Sequence, residues 1–250
     1  GEYIRKFGEA LRARKAEVSE QITKEAKKII SEGEGETQEV IDMCDFATGL
    51  SRQLYGLTMP SERPDHRLQE IWQPLGVVGC VTAFNFPVAV FGWNFCLAAV
   101  CGNSIIWKPS PHAEGCADLV KAIWDSVAEE HADIVLINKG GNDAAIELAE
   151  DEGVALFSAT GSCEMGKALS PKVAKRLGRS LLELGGNNAA IICPSADLDL
   201  TIKGVTFSAA GTTGQRCTTL RRLFVHQDIY NEVVEKLKIS FSNLTIGDPM

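Results

Sequence analysis

Apolar side chains at Ile4, Phe7, Leu11, Val18, Ile22 and Ile29 fall at three- and four-residue spacings among charged neighbours, which predicts one long helix with a single buried face over residues 3–30. The polar run "SEGEGE" is expected to break it. A second helical stripe follows at Val40, Ile41, Cys44, Ala47, Leu50 and Leu54, and the polar, Pro-containing stretch "MPSERPDHR" ends it. Two helices are therefore expected before the first strand.

From residue 75 the period changes. "LGVVGCVTAF" is a short β-rich run, followed by a helix from Pro87, the strand-like "NSIIWK" and a helix from about His112 to Glu129. "DIVLI", a helix from Asn142, "VALFSA", a helix after Gly161 and "SLLEL" continue the alternation. The economical fold for this order is α/β, a doubly wound parallel sheet of Rossmann-like kind, with ligands at the carboxyl ends of the strands. After "ELGGNN" come a strand "NAAIIC", a helix from about Asp197, the loop around Cys217, the strand "RRLFVH" and a helix from Asp228. These predict the start of a second α/β domain, so the expected division is 1–184 and 185–250. The apolar stretch Phe86 to Gly102 is interrupted by Pro87 and Asn94 and reads as a buried helix rather than a membrane span.

Composition narrows the partners. Of 250 residues 45% are apolar and 23% charged, enough for a sizeable core. The net charge of −8, with no basic block beyond the solvated "RKFGEALRARK" helix face, argues against nucleic acid or an acidic membrane as partner. Eight cysteines (44, 80, 96, 101, 116, 163, 193 and 217) show no CxxC and no His at zinc spacing, so no metal is expected. They read as reduced thiols packed like small hydrophobes, which implies a reducing, cytoplasmic location. Cys217 is the exception to be explained. The chain opens at Gly1 inside an amphipathic pattern and closes at "IGDPM", which predicts continuation at both ends.

Four loops after predicted strands carry residues that packing does not readily explain. In "TAFNFP", Asn85 reads either as a turn residue bonding its own backbone or as a donor beside a ligand. In "WKPS", Lys108 closes a strand; it is either solvated or, at a crevice, able to bond ribose hydroxyls or phosphate. In "ATGSCEMG", Thr160, Gly161 and Ser162 lie between strand and helix, where Ser162 is a plain N-cap or part of an anion site made by free N–H groups and the helix dipole. There is no GxGxxG. In "LLELGGNN", Glu183 ends an apolar strand, and a carboxylate buried there is either structurally paired or a general base of raised pKa.

Taken with "GQRCTTLRRLF", these loops resemble the aldehyde dehydrogenase superfamily. "LLELGGNNAAII", "GEGETQEVIDMCDFATGLSRQLYG" and "TAFNFPVAVFGWN" are most similar to its antiquitin (aminoadipate-semialdehyde dehydrogenase) branch, so the resemblance covers the whole chain. It implies an oxidoreductase in which Cys217 attacks an aldehyde to give a thiohemiacetal and then a thioester. Asn85 and the Cys217 N–H would form the oxyanion hole, and Glu183, 34 residues before Cys217, would activate the hydrolytic water. NAD is the implied cofactor, with NADP less expected. Lys108 would bond its adenosine ribose, Gly161 and Ser162 would meet its pyrophosphate, and Thr82, Ala83, Phe84 and Leu184 would line its cleft. Thr218 would touch the substrate, an amino-acid-derived semialdehyde of lysine breakdown. Residues 1–184 would then be the NAD-binding domain, 185–250 the start of the catalytic domain, and about 56–74 an excursion used in forming a homodimer or homotetramer.

Some positions depart from the family pattern. Ala159 stands where an aromatic usually precedes "TGS", no "LPxG" precedes "DIVLI", and Pro111 stands where many relatives place an acidic residue after the lysine. The alternatives are an acyl-phosphate reductase, which needs no deacylating water, and a non-catalytic nucleotide-binding chain. Relatives are expected to need roughly twice this length, with later ribose-binding, substrate-anchoring and oligomerisation elements.

Overall fold

The structure, a computed structural model, describes residues Gly1–Met250. Three helices open the chain rather than two: α1 (Glu2–Ala13), α2 (Lys15–Ala26) and α3 (Ile30–Leu50). The expected single helix over 3–30 is broken at Arg14 (φ −111°, ψ 21°), and α2 ends at Lys27, which adopts a left-handed φ of 56°. "SEGEGE", expected to be a break, lies inside α3. The reason is packing. A Cβ on Gly33 would stand 2.6 Å from the Ser19 carbonyl oxygen, so Gly33 lets α2 and α3 approach closely.

The segment after α3 is exposed and holds a two-stranded antiparallel hairpin, β1 (Thr58–Pro60) with β2 (Arg67–Gln69). The alternation then proceeds as the period predicted: β3 (Val77–Val81), α4 (Ala89–Val100), β4 (Ser104–Lys108), α5 (Glu114–Ala128), β5 (Val135–Ile137), α6 (Asn142–Glu150), β6 (Val154–Gly161), α7 (Cys163–Lys175) and β7 (Arg179–Leu184). The strands form one parallel sheet in the order β5-β4-β3-β6-β7. The order runs outward in one direction from β3 and then reverses at β6. The carboxyl ends of β3 and β6 therefore flank a switch point, where the helices that follow diverge and a crevice opens.

The two faces of this sheet are covered unequally. On one side, 28 buried residues from α1 to α5 and β3 to β5 make the main core, centred on Phe7, Phe91, Phe95, Trp107 and Trp124. The Phe91 and Trp107 rings stack with centroids 3.8 Å apart, and Phe7 meets Phe95 and Trp124 edge-on. α4 is apolar on most of its circumference and lies inside this core, as expected for residues 86–102. On the other side, α6 and α7 cover β6 with nine buried residues. Gly79 of β3 admits α6 there, since a Cβ would meet Leu148 at 2.9 Å.

Beyond β7, a second parallel pair, β8 (Asn188–Ile192) and β9 (Leu220–Val225), packs with α8 (Leu198–Ala210) and α9 (Tyr230–Ser242) around Ile192, Ile202, Val205 and Val233. Large apolar side chains on this part stay exposed, including Ile191, Phe207 and Phe224.

Candidate functional site

The loop after β3 and the loop before β9 meet. Asn85, half-buried two residues ahead of α4's leading Pro87 and Val88, donates from Nδ2 to the carbonyl of Gln215 at 2.6 Å. Gln215 lies two residues before Cys217. The Cys217 side is held again from β8: Asn188 Nδ2 donates to the carbonyls of Cys217 (2.7 Å) and Thr219 (3.0 Å). Gly186 lies against the same carbonyl, where a Cβ would stand 3.2 Å from Cys217 O. Two of the four sequence-marked loops, those of Asn85 and Glu183, are thus brought to the cysteine loop through its backbone.

The cysteine loop is built under strain. Thr212 and Thr213 both take left-handed φ, 53° and 57°, which β-branched residues rarely adopt. Three partners hold this turn. The Thr212 N–H donates to Glu32 Oε1 at 2.7 Å, Arg216 Nε donates to Thr212 Oγ1 at 2.7 Å, and the Arg216 N–H donates to Thr219 Oγ1 at 2.9 Å. From the helix junction behind it, the Ala26 carbonyl accepts from Gln215 Nε2 and the Lys27 carbonyl from Thr213 Oγ1. Cys217 and Thr218 remain exposed.

Glu183 does not sit as the sequence suggested. β7 is the outer strand of its sheet, and Glu183 is exposed rather than buried. Its neighbour Leu184 packs on Gly166 of α7, where a Cβ would lie 2.4 Å from Leu184 Cδ1. The expectation of buried, inert cysteines also needs correction: Cys44, Cys80, Cys96 and Cys116 are buried, but Cys101, Cys163 and Cys193 are exposed along with Cys217.

The remaining predicted residues gather at the switch point. Thr82 is buried, its Oγ1 accepting from Trp107 Nε1 at 2.9 Å, while Ala83 is half-buried and Phe84 exposed. Lys108 ends β4 only 5% exposed, and its ammonium makes no hydrogen bond or ion pair within the chain. Burial holds its pKa below the ordinary lysine value, while Glu114 pulls the other way. A buried cation with free donors is suited to a polar or anionic ligand. At the end of β6, Thr160 and Gly161 belong to the strand itself rather than to a loop. Ser162 is the N-cap of α7, its Oγ accepting from Met165 N at 3.0 Å, and Gly161 is tight enough that a Cβ would meet Met165 Sδ at 2.7 Å. Lys108 and the α7 N-terminus together fit the donor set a dinucleotide requires.

Sequence reasoning missed Lys28 and Glu36. Both side chains are wholly inaccessible and form an ion pair. Lys28 Nζ also donates to the Asn85 carbonyl at 3.0 Å, and Glu36 Oε1 accepts from the N–H groups of Val88 (2.7 Å) and Ala89 (2.9 Å). Burial pushes the Glu36 carboxyl above the ordinary value, against the pull of Lys28 and those two amides. The signal was legible: Glu36 lies four residues before Val40, on the buried stripe of α3. No cluster of three or more His, Cys, Asp or Glu side chains is placed to hold a metal, and no helix is long and apolar enough to cross a membrane.

Comparison with known proteins agrees with this arrangement. Residues 1–250 match the profile described as "Aldehyde dehydrogenase family". The chain is 48% identical over 252 residues to mouse alpha-aminoadipic semialdehyde dehydrogenase, covering all of this chain and 47% of the relative. It is 46% identical over 253 residues to aldehyde dehydrogenase family 7 member A1 of apple, covering all of this chain and 50% of the relative. Among solved structures, an Escherichia coli lactaldehyde dehydrogenase superposes with a TM-score of 0.93 at 29% identity, covering 99% of this chain and 52% of that one. The chain thus spans about half the length of the curated relatives it matches. With a profile match from the first residue to the last, and with the switch-point crevice and cysteine loop in place, the chain belongs to the aldehyde dehydrogenase family.

Proposed function

We propose that the protein to which these residues belong oxidises an aldehyde, of the amino-acid semialdehyde class, to the carboxylic acid with NAD. The observation that carries the reading is the Asn85 Nδ2 to Gln215 O bond, which ties the amide of the loop after β3 to the loop that carries the exposed thiol of Cys217. Residues 1–184 are the NAD-binding domain in this reading, and 185–250 the start of the catalytic domain.

The chemistry follows from the side chains. The Cys217 thiolate adds to the aldehyde carbon, and the new C–S bond leaves an alkoxide. Asn85 Nδ2 and the Cys217 N–H stabilise that oxygen where charge develops; Asn85 turns from Gln215 or uses its second N–H. When bound at the switch point, a nicotinamide dinucleotide would supply the hydride acceptor for this carbon; Cys217 then holds the acyl group as a thioester. Glu183 takes a proton from water, whose oxygen adds to the thioester and expels the thiolate. Lys108 would hold the adenosine ribose, and the α7 N-terminus with Gly161 and Ser162 would hold the pyrophosphate. Thr82, Ala83, Phe84 and Leu184 line the cleft, and Thr218 borders the aldehyde. Relatives among the solved structures are described with NADP as well as NAD. The semialdehyde preference is supported by the names of the 47–48% identical mouse, rat and cattle relatives. Homo-oligomer formation through residues 56–74 is supported by the exposed hairpin and by Tyr55 and Trp72, 77% and 69% exposed beside it.

The test uses the full-length protein: NADH formation from α-aminoadipic semialdehyde and a panel of simple aldehydes, with Cys217→Ser and Glu183→Gln beside the parent. Loss of all turnover in the first variant, and in the second a surviving first-turnover burst with slow steady state, is expected. Undiminished turnover by Cys217→Ser refutes the reading.

A further inference from the structure

We infer that the buried Lys28–Glu36 pair is a positioning device for the Asn85 amide, placing the oxyanion donor from the junction of α2 and α3. The inference rests on the proposed role of Asn85.

The strap from Asn85 to Ala89 is held at both ends by this one pair. At the front, Lys28 Nζ donates to the Asn85 carbonyl at 3.0 Å and lies 4.0 Å above the Phe86 ring centroid. At the back, a single oxygen of Glu36 collects the N–H groups of Val88 and Ala89, two donors that α4 cannot satisfy internally. Pro87 between them is buried and has a fixed φ. The backbone of the strap is therefore fixed at Asn85, Pro87, Val88 and Ala89, and its Asn85 side chain reaches across to Gln215.

A device this buried is an expensive way to stabilise a fold. Two charges removed wholly from water gain little over an apolar pair of equal volume, whereas deleting one partner leaves an uncompensated charge. Placement is what the pair adds. Neither residue is suited to touch substrate, since both side chains are at 0% accessibility; each acts through the backbone beside Asn85. Small displacements matter there, because a misplacement of about 1 Å can slow a reaction about 100-fold.

The decisive experiment is a double-mutant cycle in the full-length protein, read by the rate of the first-turnover NADH burst and by NAD affinity. Asn85→Ala is expected to slow the burst about 100-fold or more. Lys28→Met is expected to slow it about tenfold or more with NAD affinity held, and Lys28→Met on the Asn85→Ala background to add nothing further. Because Lys28→Met alone strands the Glu36 charge, Lys28→Met with Glu36→Gln is made in parallel. Its amide oxygen still accepts from Val88 and Ala89, so folding is retained and the same loss of burst rate is expected. Additive effects of the Lys28 and Asn85 changes, or a burst unaffected in Lys28→Met with Glu36→Gln, overturn the positioning role while leaving the functional reading intact. A burst unaffected in Asn85→Ala overturns the role given to Asn85, and this inference with it.

Discussion

Gly33 and Gly35 stand two residues apart in α3, yet alanine should act on them in opposite directions. Replacing glycine by alanine inside a helix gains about 1 kcal/mol from backbone entropy. At Gly35 nothing lies within 4 Å of an added Cβ and the position is exposed, so that gain is unopposed. At Gly33 the new Cβ would meet Ser19 O at 2.6 Å, Thr23 Oγ1 at 3.0 Å and the Ser19 carbonyl carbon at 3.3 Å. Two of these are backbone atoms in the middle of α2 and cannot rotate away. The helices must separate, which stretches the buried chain running from Ser19 Oγ to Thr37 Oγ1 (3.1 Å) and on to the Gly33 carbonyl (3.0 Å). Overpacking of this kind costs about 1–3 kcal/mol, which exceeds the propensity gain. Gly35→Ala should therefore raise the unfolding temperature and Gly33→Ala lower it, by about 2–4 °C for each kcal/mol in a domain of this size. Thermal unfolding of both variants beside the parent, with amide exchange of α2 and α3, gives the comparison. Stabilisation by Gly33→Ala equal to that by Gly35→Ala would refute the close-packing account of "SEGEGE".

Leu177, 95% exposed with φ 57°, occupies the left-handed position of a helix end where Gly178 N bonds Val173 O and Leu177 N bonds Ala174 O; Leu177→Gly should stabilise by about 1 kcal/mol, and a lowered urea midpoint would contradict this. Phe7→Ala removes a fully buried ring from between Phe95 and Trp124 and should destabilise by about 3–5 kcal/mol; a loss under about 1 kcal/mol in urea unfolding would mean that the core there closes over the gap. Brief iodoacetamide treatment followed by mass mapping should modify Cys101, Cys163, Cys193 and Cys217 while sparing Cys44, Cys80, Cys96 and Cys116. Burial also pushes the Cys80 and Cys116 thiols up, so little thiolate forms there, and labelling of Cys80 ahead of Cys217 would contradict the packing.

The strand-helix alternation from residue 75 was legible because period and punctuation agree there: β-branched runs such as "VVGCV", followed by a buried helix led by a proline. The first fifty residues were less so. Glycine reads as a breaker in a string of letters, but Gly33 serves an interhelical contact, and the real breaks, at Arg14 and Lys27, carry residues with no turn preference. Asn85 and Cys217 were visible because amide and thiol stand out in their loops. Lys28 was not, because "EAKKII" looks like a solvated basic face, and only the fold shows that Lys28 turns inward while Lys27 turns the chain. Glu183 shows the opposite error. Apolar neighbours suggested burial, but β7 lies at the sheet edge, where none of its six residues is buried.

The turn before Cys217 is fastened to residues near the start of the chain: Thr212 to Glu32, Thr213 to Lys27 and Gln215 to Ala26, spans of 180, 186 and 189 residues. During synthesis the whole five-stranded sheet, complete at Leu184, leaves the ribosome before the anchored turn exists. Two threonines in left-handed conformation hold that shape only while the surrounding structure fixes them, and here the fixing groups are those distant anchors. The shape of the Cys217 loop is therefore set by the junction of α2 and α3, about 180 residues earlier in the chain, and a change at that junction is felt at the thiol.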